Sequence, residues 1–129
     1  MSTPKKILII DDDQTNVSLV QNRLRKVGYH AIIALDGDIG LERAQNEAPD
    51  LIILDVEMPR MNGYTFMVEM GKSEKLRKIP VIVLTSHEEM QPIFQHRGVK
   101  GYLVKPINFD KLFEKLYPLL GKPEAPPAA

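Results

Sequence analysis

Five short apolar runs limit what this chain can fold into: KILII (6–10), AIIAL (31–35), LIIL (51–54), VIVL (81–84) and GYLV (101–104). They are rich in β-branched residues and nearly continuous rather than alternating. That is the pattern of strands covered on both faces, as in a parallel sheet. Helical periodicity fills the intervals. Val17, Val20, Leu24 and Val27 keep the three-and-four spacing of one helix face, with Gly28 placed to end it. Leu41, Ala44 and Ala48 repeat the spacing after DGD, and Gly63, Phe66, Met67 and Met70 share a face after the third run. In NFDKLFEKLYPLLG, Asn108 is placed to cap a helix that turns Leu112, Phe113, Leu116 and Leu120 inward. Strand and helix alternate five times, which predicts a doubly wound α/β sandwich.

The chain has 129 residues, 43% of them hydrophobic, enough for one core and too few for a second domain. The expected division is a domain over residues 1–121 and a flexible Pro/Ala-rich tail, KPEAPPAA (122–129), without core-forming residues. Lys and Arg number 17 and so do Asp and Glu, so no global field favours direct nucleic-acid or membrane binding. The absence of cysteine excludes disulfides, thiolate metal sites and a cysteine nucleophile. No apolar run approaches the length of a membrane span, and a cytoplasmic location is expected.

In doubly wound sheets ligands bind beyond the carboxyl ends of the strands. Asp11 and Asp12 follow the first run, Asp55 the third, Thr85 and Ser86 the fourth and Lys105 the fifth. The first run ends directly in three acids, Asp11, Asp12 and Asp13, and like charges this close repel unless something cationic lies among them. A hard divalent ion such as Mg²⁺ suits them, because it takes oxygen ligands and is held by one or two carboxylates together with phosphate. The same stretch, DDDQTN, also suits a solvated turn or a helix N-terminus. Asp55 leads into VEMPRMNG; beside a cation its carboxylate can attack phosphorus, and without one it would merely cap the loop. Lys105 precedes Pro106 and can pair with Asp55 at rest and with phosphoryl oxygens after transfer. A cis bond there would turn its side chain back over the strand ends. Thr85 offers a hydroxyl donor to a phosphoryl oxygen. His30 and His96 have no ligand spacing, and KSEKLRK (72–78) reads as a solvated helix end.

Taken together, ILIIDDD, PDLIILDVEMPRMNG, PVIVLTS and GYLVKP resemble the receiver domain of two-component response regulators over about residues 5–121. The resemblance implies a flavodoxin-like sheet of five parallel strands in the order 2-1-3-4-5. It implies a single-domain, chemotaxis-regulator-like protein that accepts a phosphoryl group on Asp55 from a histidine kinase or phosphotransfer protein, with Mg²⁺. Such a protein assists its own phosphorylation and dephosphorylation but is not otherwise an enzyme. Its output would be contact with a downstream protein, because no effector domain fits in the tail. Asp11, Asp12 and Asp55 would hold Mg²⁺ together with the backbone carbonyl of Glu57, and Lys105 would contact the phosphoryl group. Thr85 would be the switch hydroxyl and Tyr102 the aromatic that turns inward when Thr85 engages phosphate. Asp13 stands where an acid is common without being a principal ligand.

The chain departs from the family between Thr85 and Lys105, where the segment is slightly short and contains Pro92. A helix begun at Ser86 would place Pro92 beyond its first turn, at a cost of about 3 kcal/mol. A shortened fourth helix, roughly 92–97 and ended by Gly98, is expected instead. Pro118 is expected to interrupt the last helix by removing one internal hydrogen bond and bending its final turn. Both prolines fall on the family's usual docking face, so an idiosyncratic partner surface is expected. Glu57 and His87, two residues after Asp55 and Thr85, form a rim that either sets the lifetime of the phosphate or is simply solvated. Rival readings are a pseudo-receiver that is never phosphorylated, a haloacid-dehalogenase-type aspartyl-phosphate phosphatase, and a flavin-binding module. Adjacent rather than spaced acids oppose the phosphatase, and three acids after the first strand would repel a flavin phosphate.

Overall fold

A computed structural model describes residues 4–57, 62–86 and 98–123. Strands β1 (Lys6–Ile10), β2 (His30–Ala34), β3 (Leu51–Asp55), β4 (Val81–Thr85) and β5 (Gly101–Val104) form one sheet in the order β2-β1-β3-β4-β5. Every pairing is parallel. This is the flavodoxin-like arrangement that the resemblance implies, and each strand lies within one residue of its apolar run. All residues of β3 and β4 are buried, which is why those runs show no polar alternation.

Helices α1 (Gln14–Lys26), α2 (Gly37–Glu47), α3 (Gly63–Gly71) and α4 (Phe109–Leu120) cover the sheet among the described residues. Alternation along the strands sends Ile7, Ile9, Leu51, Ile53, Ile82 and Leu84 to the layer formed by α1 and α4. It sends Leu8, Ile10, Ile52, Leu54, Val81 and Val83 to the layer of α2 and α3. Each helix starts on a polar cap: Asp13, Asp36, Asn62 and Asn108 accept the amide three residues on. Such a cap contributes about 1 kcal/mol and fixes where the chain leaves the loop at the strand ends. None of the described helices is long and apolar enough to cross a membrane.

Three local expectations change. Ala48 does not extend the buried face of α2; it ends the helix in a left-handed conformation, φ 48° and ψ 59°. Residues 72–78 are not a helix end: α3 stops at Gly71, and Leu76–Lys78 form a separate 3-10 turn anchored by buried Leu76. Pro118 does not interrupt α4, which runs on to Leu120. The missing N–H falls in the last turn, where few hydrogen bonds remain to be lost, and the Gly121 amide closes that turn on the Tyr117 carbonyl at 2.8 Å. The shortened helix expected near 92–97 lies outside the described residues, as do residues 124–129 of the expected tail.

Gly63 fixes the path just after β3. Its amide donates to the Val56 carbonyl at 3.1 Å, and an added Cβ would lie 2.6 Å from the Val56 Cα. Gly63→Ala is therefore expected to cost about 1–3 kcal/mol in denaturant unfolding. Gly71→Ala, where nothing lies within 4 Å, should be neutral or slightly stabilising.

Tyr29 ties the start of β2 to the end of α4 by donating its hydroxyl to the Gly121 carbonyl at 2.8 Å. Burial, and secondarily Tyr117, pushes its phenol up to about 12 from 10.0. A raised acid favours the folded state while protonated, so this stabilisation is complete below pH 10 and lost as the pH rises through about 12. Alkaline unfolding curves should show that loss in the wild type. Tyr29→Phe should start about 1 kcal/mol less stable and lack that component of the decline.

Candidate functional site

The register of β1 on β3 pairs Ile10 with Leu54, so the next residues, Asp11 and Asp55, emerge side by side at the carboxyl edge. The Asp11 amide extends the ladder to the Ala34 carbonyl at 3.1 Å. Asp11 and Asp55 are only 1% and 2% exposed, whereas Asp12 is exposed. One carboxylate oxygen from each of the three lies within 4.8 Å of the others. Asp11 is oriented by the Asp13 amide at 2.9 Å and by the Asn16 side-chain amide at 2.6 Å. Asp55 Oδ1 accepts the Glu57 amide at 3.1 Å and faces Lys105 Nζ at 3.1 Å. The Lys105–Pro106 peptide is cis, and the Lys105 amide donates to the Thr85 carbonyl at 2.7 Å, which holds the end of β5 against β4.

One ammonium does not balance these acids. Burial raises the Asp55 carboxyl to about 6 from 3.8, the Glu57 amide opposes that rise, the charge of Asp11 adds to it, and Lys105 offsets it only in part. Burial works against the Lys105 ammonium too, yet Asp55 above all, with Asp11 and Glu57, holds its pKa above the ordinary lysine value. Negative charge is therefore in excess, and the donor atoms are hard carboxylate oxygens gathered from two adjacent strands. That donor set fits Mg²⁺, which prefers oxygen and tolerates incomplete protein coordination.

Both readings of DDDQTN hold, divided by residue. Asp13 is the cap of α1, accepting the Asn16 amide at 3.1 Å, while Asp11 and Asp12 join Asp55 in the cluster. Thr85 is fully buried, and its hydroxyl donates to Glu57 Oε1 at 3.1 Å. Tyr102 is half-buried against the α2–α3 layer and lines a groove of about 660 Å³ with Pro106, Asn108 and Lys111. His87 lies outside the described residues. Sequence reasoning missed Asn16, and it placed Ser86 at the end of the fourth strand without a role. Asn16 carries a weak signal, a short amide placed over the acids by the first helical turn. Ser86 shows its role only once Glu57 is seen to reach it.

The response regulator receiver domain family model matches residues 7–117. The chain belongs to that family. It is 36% identical over 108 residues to the alkaline phosphatase synthesis transcriptional regulatory protein PhoP of Bacillus subtilis, covering 81% of this chain and 43% of that one. It is 34% identical to the DNA-binding dual master transcriptional regulator RpaA of Synechocystis, covering 96% of this chain and 52% of the relative. The chain thus spans about half the length of these curated relatives. Among solved structures it resembles the chemotaxis response regulator CheY4 of Vibrio cholerae, with TM-score 0.83, 32% identity, and 92% and 100% of the two chains covered. It also resembles TrrA of Thermotoga maritima in complex with Mg²⁺ and beryllofluoride, with TM-score 0.81, 33% identity, and 90% and 99% covered.

Saturating Mg²⁺ is expected to raise the melting temperature of the wild type by about 5 °C or more, and EDTA to reverse the shift. Asp11→Asn should lose most of that shift in differential scanning calorimetry. Ser73→Ala, remote from the cluster, should retain it.

Proposed function

We propose that this chain is a phosphoacceptor domain of two-component phosphorelay signalling, taking a phosphoryl group on Asp55 from a phosphohistidine of a histidine kinase or phosphotransfer protein. The observation that carries the reading is Asp55 itself: a buried carboxylate at a strand end, paired with Lys105 at 3.1 Å and set in an acid cluster suited to Mg²⁺. Asp55 Oδ1 takes both the Glu57 amide and the Lys105 ammonium, which leaves Oδ2 as the attacking atom.

Oδ2 forms a bond to phosphorus as the phosphorus–nitrogen bond of phosphohistidine breaks, its electron pair returning to the imidazole. The product is an acyl phosphate on Asp55. When held by Asp11, Asp12 and Asp55, Mg²⁺ supplies charge neutralisation for the transferring phosphoryl oxygens. The Glu57 backbone carbonyl would complete that protein set. Lys105 exchanges its contact with Asp55 for a phosphoryl oxygen, and Thr85 turns its hydroxyl to another. Tyr102 follows Thr85, since both continue the strand face toward α2 and α3. The group leaves by hydrolysis: water bonds to phosphorus as the bond from phosphorus to Asp55 Oδ2 breaks, inorganic phosphate departs and the carboxylate is restored, with Glu57 and His87 as the residues that would set how water reaches it. Output is by contact with a downstream protein, in the cytoplasm and without direct binding of nucleic acid or membrane.

Acetyl phosphate with Mg²⁺ should add one phosphoryl group, seen by intact mass, that is stable in acid and labile in base. Asp55→Asn should take none, and Lys105→Ala should accept the group at least tenfold more slowly. A wild type that never gains the mass would instead be a pseudo-receiver. Continuous release of phosphate from small esters would favour a phosphatase.

A further inference from the structure

The single hydroxyl proton of Thr85 is already engaged. Thr85 Oγ1 donates to Glu57 Oε1 at 3.1 Å, the Ser86 amide donates to the same oxygen at 2.8 Å, and the Ser86 hydroxyl donates to Oε2 at 3.1 Å. Three donors at the end of β4 converge on one carboxylate carried by the chain just after β3. Donors arranged in this way suit a phosphoryl oxygen equally well, because both groups are anionic acceptors. A threonine hydroxyl has one proton to give, so Thr85 cannot serve Glu57 and a phosphoryl oxygen on Asp55 at once. A phosphoryl group also brings about −1.5 to −2 charge to a site two residues from the Glu57 carboxylate, which the like charge disfavours.

We propose that Glu57 is an internal competitor of the phosphoryl group: its carboxylate occupies the Thr85 and Ser86 donors in the unphosphorylated protein and has to leave them before Thr85 turns to phosphate. This rests on the reading of Asp55 as the phosphoacceptor and adds a regulator to it. Glu57 is a positioning residue that acts through Thr85 and stabilises the resting arrangement. The work of displacing it is subtracted from the affinity of the site for a phosphoryl group. Glu57 itself is exposed, so the contest amounts to about one net hydrogen bond, which corresponds to roughly threefold to tenfold in affinity.

The test uses beryllofluoride with saturating Mg²⁺ as the phosphoryl probe, titrated on the full chain and followed by the Thr85 and Ser86 amide resonances. Glu57→Ala should bind the probe about threefold to tenfold more tightly than the wild type. Its Ser86 amide should also shift before any probe is added. In a Thr85→Val background the gain from Glu57→Ala should shrink to less than half, because the contested hydroxyl is gone. Glu57→Asp, which keeps the charge but is one methylene shorter, should resemble Glu57→Ala. An equal gain in both Thr85 backgrounds would mean charge repulsion alone and would overturn the proposal. So would wild-type affinity in Glu57→Ala. If no variant binds the probe, the phosphoacceptor reading fails and takes this inference with it, whereas binding unaffected by Glu57 removes the inference alone.

Discussion

Repulsion between two buried carboxylates on neighbouring strands is the constraint on which the carboxyl edge of this sheet depends. Asp11 and Asp55 cannot avoid each other, because the β1–β3 register that buries Ile10 and Leu54 delivers them side by side. The fold answers with local counterweights: the Asn16 side chain and Asp13 amide on Asp11, and the Glu57 amide and Lys105 on Asp55. These reduce the excess without removing it: burial above all, and secondarily the charge of Asp11, keeps the Asp55 carboxyl above its ordinary range. A group that binds there can supply what the chain withholds. The site is thus poised to gain more from a cation than a neutralised pocket would.

The sheet also separates two tasks. By strand alternation Asp11, Asp55 and Lys105 continue the face that packs on α1 and α4, whereas Thr85 and Tyr102 continue the opposite face. The two buried acids and the lysine gather on one side of the edge, and the hydroxyl of Thr85 and the ring of Tyr102 lie on the other. Glu57 crosses between them. Its amide holds Asp55 while its carboxylate holds Thr85 and Ser86, so one residue touches both halves of the site.

The strands were legible because continuous β-branched runs have few alternatives in a chain of this length, and four of the helices because their apolar spacing is regular. The positions of Asp11, Asp55, Thr85 and Lys105 followed from the rule that ligands bind at strand ends. Less visible were features that depend on tertiary reach. Ala48 reads as a continuation of its helix face, since nothing in its side chain announces a left-handed residue. Pro118 signals a disturbed final turn, but the sequence does not show that the helix runs on to Leu120 and is anchored there by Tyr29. Asn16 and Ser86 are ordinary polar residues until the fold brings them within hydrogen-bond distance of a carboxylate. The Glu57 carboxylate bonds Thr85 and Ser86, partners that could not be read from spacing.

The bond from Tyr29 to Gly121 fixes where the backbone emerges. Tyr29 immediately precedes β2, so α4 ends at the amino edge of the sheet, across the full strand length from the acid cluster. A fluorophore or affinity handle attached at Lys122 would therefore leave from the remote pole. Immobilising the protein by that end would present its reactive rim outward, toward solvent and whatever approaches it.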